Sequence, residues 1–127
     1  MTVSSVLVVG GDPAGCAVAR ALAAGDIEVS LIAPAGCADA DGLRRAGVEV
    51  RTQGGLVGLV DVDSHVEAEL SHGAVENHDI VVLADPPTRA AFDPASRRVI
   101  LIADEADATG VAERGLTGYP LEPADGL

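Results

Sequence analysis

The stretch VLVVGGDPAGCAVARALA, residues Val6 to Ala23, decides the fold. Residues Val3 to Val9 are largely apolar and β-branched, the pattern of a strand covered on both faces, and Gly10-Gly11 ends it. Pro13 to Ala24 follows as a helix, with Pro13 suited to its first turn, Gly25 to its end, and Val18, Ala21 and Leu22 as its inner stripe. Ile27 to Ala33 (IEVSLIA) is a second strand, closed by Pro34-Ala35-Gly36. These pieces make one β-α-β unit of about 30 residues, whose crossover is right-handed. Its glycines fall in a telling register. Gly10 and Gly15 occupy the first and third places of G-x-G-x-x-G, and Asp12 stands in the second. That spacing belongs to the turn that carries the pyrophosphate of a dinucleotide.

Working outward, Ala38 to Ala46 reads as a short helix stopped by Gly47, and Val48 to Arg51 as a third strand. From Gly55 the hydrophobic period changes to two. Leu56 to Val62 and His65 to Leu70 are short strands, Ser71-His72-Gly73 is a hairpin turn, and Ala74 to Glu76 begins the return. Ile80 to Ala84 (IVVLA) is another buried strand, ended before Pro86-Pro87, and Val99 to Ile102 (VILI) is the last. The expected class is α/β: a Rossmann-like, mostly parallel sheet with helices on both faces and a small antiparallel β-meander inserted into it. Residues 1–114 form this domain, and 115–127 form a Gly- and Pro-rich tail.

Composition narrows the function. A chain of 127 residues is one domain, long enough to bury about two-thirds of its unfolded surface. Only Phe92 and Tyr119 are aromatic, so the core must be built from Val, Leu, Ile and Ala. Net charge is −12, and every basic side chain is Arg, with no Lys at all. A carboxylate-rich surface of this kind suits concentrated salt, where self-repulsion is screened. A genome favouring Arg codons also accounts for the missing Lys, though not for the acid excess. The acidity argues against a nucleic-acid partner, because such binding depends on neutralising phosphates. No apolar run approaches the length of a membrane span, and no basic segment precedes the first apolar stretch, so the expectation is a cytoplasmic protein without membrane association.

Cys16 and Cys37 make neither a disulfide framework nor a metal site by spacing. Cys16 starts the first helix, where a thiolate is favoured, but a small buried hydrophobe is the plainer reading. His65, His72 and His78 lie in or near the meander with no ligand spacing, and read as exposed turn residues rather than a metal centre.

The order of motifs resembles the FAD-dependent oxidoreductases of the Rossmann type, in particular the flavin monooxygenase (aromatic-ring hydroxylase) branch. Three elements carry the likeness. VLVVGGDPAG (Val6 to Gly15) with IEVSLIAP (Ile27 to Pro34) is similar to the family's first motif. The run from Gly47 to Pro87 is similar to its meander and following "ADG" element, here Ala84-Asp85-Pro86. RVILIADEADATGVAERGL (Arg98 to Leu116) is similar to its "GD" element, here Ala103-Asp104. The resemblance implies FAD as cofactor, with NAD(P) or no dinucleotide as the alternatives. It implies contacts at Gly10, Gly11, Asp12, Ala14, Gly15, Ala33 and Asp104, the last toward the flavin ribityl chain or else a helix N-cap. The substrate domain that the family carries between its second and third elements is replaced by Pro87 to Arg97. A substrate pocket would therefore come from a protein partner or a second copy in a homodimer, and no residue stands out as catalytic.

The chain departs from the family at cofactor-facing positions. Asp12-Pro13 is a good self-capping helix start, which uses amide hydrogens that a phosphate would otherwise accept. Ala33 stands where an acid should bind ribose hydroxyls, and Pro86 and Ala103 replace glycines. Asp39 and Asp41 follow at a distance and read as solvated. The alternative function is a non-enzymatic relic of the family that serves as an interaction or dimerisation module.

Overall fold

A computed structural model describes residues 5–11, 13–24, 27–33, 36–37, 39–52, 55–62, 65–71, 73–84 and 99–101. In chain order the elements are β1 (Ser5–Val9), α1 (Pro13–Ala23), β2 (Glu28–Ile32), α2 (Ala40–Arg45), β3 (Glu49–Arg51), β4 (Leu56–Asp61), β5 (Val66–Leu70), β6 (Val75–His78), β7 (Ile80–Leu83) and β8 (Val99–Leu101). Five strands form a parallel sheet in the order β3-β2-β1-β7-β8. The chain thus builds outward from β1 to one side and then crosses to the other. The strand order switches between β1 and β7, and ligands of open α/β sheets bind at the carboxyl ends of the strands at such a point.

Strands β1 and β7 are apolar at every core position because both of their faces are covered. Val6, Val8, Ile80 and Val82 turn to one face and pack with Val18, Ala19 and Leu22 of α1 and Leu43 of α2. Leu7, Val9, Val81 and Leu83 turn to the other and pack with Val66, Ala68 and Leu70 of β5. The α/β class and the meander stand as expected, but the meander is placed differently. The meander does not enter the parallel sheet: β4, β5 and β6 form a separate antiparallel sheet laid across its second face. Among the described residues both helices therefore share the first face. The meander does the work of a crossover helix, since β5 alternates Val66, Ala68 and Leu70 inward with Glu67 and Glu69 outward.

Most elements fall within one or two residues of the expected limits. On α1 the buried stripe is Val18, Ala19 and Leu22, so Ala19 takes the place expected of Ala21. No helix among the described residues is long and apolar enough to cross a membrane. The expected helix after Asp104 and the tail 115–127 lie outside the described residues.

Candidate functional site

The carboxyl ends of β1, β2 and β7 are level, with Val9 paired to Ile32 and to Leu83. The chain leaves β1 through Gly10, whose φ of 125° lies in the region that glycine alone adopts readily. The Gly10 amide donates to the Ile32 carbonyl at 2.8 Å, and the Ala84 amide to the Val9 carbonyl at 2.9 Å. Gly11 meets a different constraint. A Cβ there would stand 2.4 Å from the Gly36 carbonyl oxygen and 2.7 Å from the Ala33 Cβ. The turn after β1 therefore rests directly on the turn after β2, which Gly36 closes with φ 96° and a 2.8 Å bond from its amide to the Ala33 carbonyl. Ala14 and Gly15 are buried in the first turn of α1. Gly11→Ala should cost about 1–3 kcal/mol through overpacking, because backbone rather than a flexible side-chain end stands in the way. Urea denaturation measures this, and a loss under about 0.5 kcal/mol, the range of a neutral surface change, would contradict the contact.

The structure thus brings Gly10, Gly11, Ala14, Gly15 and Ala33 to one corner of the sheet. Asp12 and Asp104, with Pro86 and Ala103, lie outside the described residues. Ala33 is 1% exposed, and its amide donates to the Arg51 carbonyl at 2.8 Å. A dinucleotide fits this corner in part. A glycine turn followed by a helix N-terminus is the backbone arrangement that pyrophosphate sites use. Ala33 offers a ribose no acceptor. The neighbouring carboxylates do not replace one: Asp39 is ion-paired with Arg20, which ties α2 to α1, and the exposed Asp41 lies 3.6 Å from Arg44. Asp39 is exposed, as expected, and pairs with Arg20 at the surface.

Cys16 and Cys37 also meet here, which their spacing did not suggest. Their sulfurs are 3.3 Å apart, and the Cys16 thiol donates to the Gly11 carbonyl at 3.4 Å. The β-α-β topology held the signal. Cys16 lies in the first turn of α1 and Cys37 just past the end of β2, and a parallel crossover places both at the same end of the sheet.

A second polar cluster ties the meander to the sheet. His78, expected to be exposed, is 7% exposed, because it lies where β6 turns into β7 against the start of β1. Its Nδ1 is 2.7 Å from the Ser5 hydroxyl and its Nε2 is 3.1 Å from Glu76 Oε1. The other Glu76 oxygen accepts from Arg51 at 2.5 Å, and Arg51 also donates to Glu49. Burial pushes the Glu76 carboxyl upward, but hydrogen bonds from Arg51 and His78 and their charges outweigh it, so the group lies below its ordinary 4.5. The Arg51 hydrogen bond is also the main influence on Glu49, whose carboxyl is held low as well. Carboxylates lowered in the folded state contribute stability that is fully present above about 4.5 and lost as pH falls through their folded values. Protonation of the many exposed acids relieves repulsion over the same range, so the comparison with Glu76→Gln isolates the effect. The stability difference between wild type and Glu76→Gln, taken from urea midpoints, should shrink between pH 6 and pH 3 (a span chosen about the ordinary carboxylate range). A constant difference would contradict the pairing.

No family model matches the chain, and no curated protein is similar to it. Solved structures are. Tetracycline destructase Tet(55) superposes with a TM-score of 0.60 at 15% identity, over 72% of this chain and 42% of that one. Thioredoxin reductase from Lactococcus lactis gives 0.58 at 16% identity, over 65% and 35%. An NAD-dependent persulfide reductase from A. fulgidus gives 0.56 at 28% identity, over 63% and 17%. The chain spans only 32–43% of the length of four such structures. What it shares with a part of each of these proteins is the Rossmann-type α/β fold.

Proposed function

We propose that this chain is a dinucleotide-binding module of the FAD/NAD(P)-dependent oxidoreductase type, with FAD as its first ligand and NAD(P) as the alternative. The observation that carries the reading is the left-handed Gly10 turn, which leads from β1 into α1 at the strand-switch end of a parallel sheet. The reductases that share the fold support the same class. The order of the three sequence motifs favours the flavin monooxygenase branch within it.

The start of α1 would meet the pyrophosphate with its backbone amides and the positive end of the helix. A bound flavin supplies the redox chemistry, and the protein orients it. No described side chain is placed as a general acid or base, so a substrate site is completed by a partner or a second copy. Without an acid at Ala33, the ribose loses a charge-assisted hydrogen bond worth about 1.5–3 kcal/mol, or roughly tenfold to a hundredfold in affinity. The acidic, lysine-free surface suits work in concentrated salt.

Titration of FAD and of NAD(P)H into the protein, followed by calorimetry and flavin fluorescence at low and multimolar salt, tests the proposal. Saturable binding with one site per chain is expected. No binding of either dinucleotide in either salt would overturn it.

A further inference from the structure

We propose that Cys16 and Cys37 are a redox modification site: a dithiol that forms a reversible intramolecular disulfide by exchange with a low-molecular-weight disulfide. The inference stands apart from dinucleotide binding and survives its failure.

The geometry carries it. The sulfurs lie 3.3 Å apart and need to close only to the ~2.0 Å of a bond. The backbone beneath them is held in place from both sides. Gly11 rests on the Gly36 carbonyl, Gly36 precedes Cys37, and the Gly11 carbonyl accepts from Cys16. Helix α1 is anchored in the core by Val18, Ala19 and Leu22, so Cys16 does not drift from its neighbour. Both thiols are half-buried, which leaves them within reach of a small reagent. They are also the only two cysteines of the chain, so any intramolecular bridge joins this pair.

The chemistry is a two-step exchange. One cysteine thiolate attacks a sulfur of the small disulfide, which forms a mixed disulfide and expels one small thiolate, and that thiolate takes up the proton. The second cysteine thiolate then attacks the cysteine sulfur of the mixed disulfide. The protein disulfide forms, and the second small thiol leaves with the other proton. Two electrons pass from the cysteine pair to the small disulfide, which ends as two thiols. The new bond ties the first turn of α1 to the loop after β2.

The test starts from fully reduced protein incubated with excess oxidised glutathione. Thiols are then counted with a chromogenic reagent, and intact mass and a non-reducing gel are recorded. The expected product is a monomer lighter by two hydrogens with neither thiol titratable, and dithiothreitol restores both. Its urea midpoint is raised relative to the reduced form. Cys16→Ser and Cys37→Ser should each instead retain one bound glutathione, since no second thiol is present to displace it. Two persistent thiols, glutathione adducts on both cysteines, or a covalent dimer as the main product would each overturn the proposal.

Discussion

Asp12→Gly is expected to tighten FAD binding by at least tenfold at low salt. Asp12 holds the second glycine place of the sequence motif, the place at which glycine lets backbone approach the pyrophosphate in such turns. A carboxylate about 4 Å from a phosphate oxygen is repelled by about 4 kcal/mol at an effective dielectric near 20. Full relief of that repulsion would approach a thousandfold, since each ~1.4 kcal/mol is tenfold in affinity. Salt separates the electrostatic part from the steric part. At roughly 1 M the Debye length is about 3 Å, so the gain should shrink as salt is raised without disappearing. Calorimetric titration of both proteins across salt concentrations measures it. Equal affinities throughout would mean that Asp12 is not the obstacle, and the missing acid at Ala33 would become the main cause of weak binding.

Leu7→Ala should lower stability by about 2–5 kcal/mol. Leu7 is fully buried on the face of the parallel sheet that the meander covers, clustered with Val66, Ala68 and Leu70 of β5 and with Val81 and Leu83 of β7. Domains of this size are stable by only about 5–15 kcal/mol, so the loss is a large share of the total. Val75→Ala makes a sharp comparison. Val75 lies on the same meander but is 58% exposed, and its truncation should stay within about 0.5 kcal/mol. Denaturant unfolding of both variants tests whether the three-stranded sheet is a true core layer. A cost below about 1 kcal/mol for Leu7→Ala would show that it is not.

The β-α-β core was legible because its signals are local. A strand covered on both faces needs apolar residues at successive positions, and Val6 to Val9 and Ile80 to Leu83 supply them. Strand β5 was legible from its alternation. That alternation identifies a strand but not the neighbour it pairs with, so the sequence did not reveal the meander as a sheet of its own. The side-chain clusters were hidden for the same reason. His78 looks like a surface residue beside Asn77, yet its partner Ser5 lies 73 residues away. Cys16 and Cys37 are 21 residues apart, and only the crossover brings them together. At the candidate site the absent acid at Ala33 was legible from its place at the end of a strand. The close approach of Gly11 to Gly36 was not, since it depends on how two turns stack.

The proposed dinucleotide site is the corner formed by Gly10, Gly11, Ala14, Gly15 and Ala33. The most direct measurement is a series of amide nitrogen–proton correlation spectra of the isotope-labelled protein during titration with FAD, and then with NADH. Saturable shifts are expected at the amides of Gly10, Gly11, Ala14 and Gly15, spreading to Ala33 and Gly36, with β4 and the exposed face of β6 unmoved. Spectra that stay unchanged to saturating ligand, or shifts confined to the meander, would contradict it.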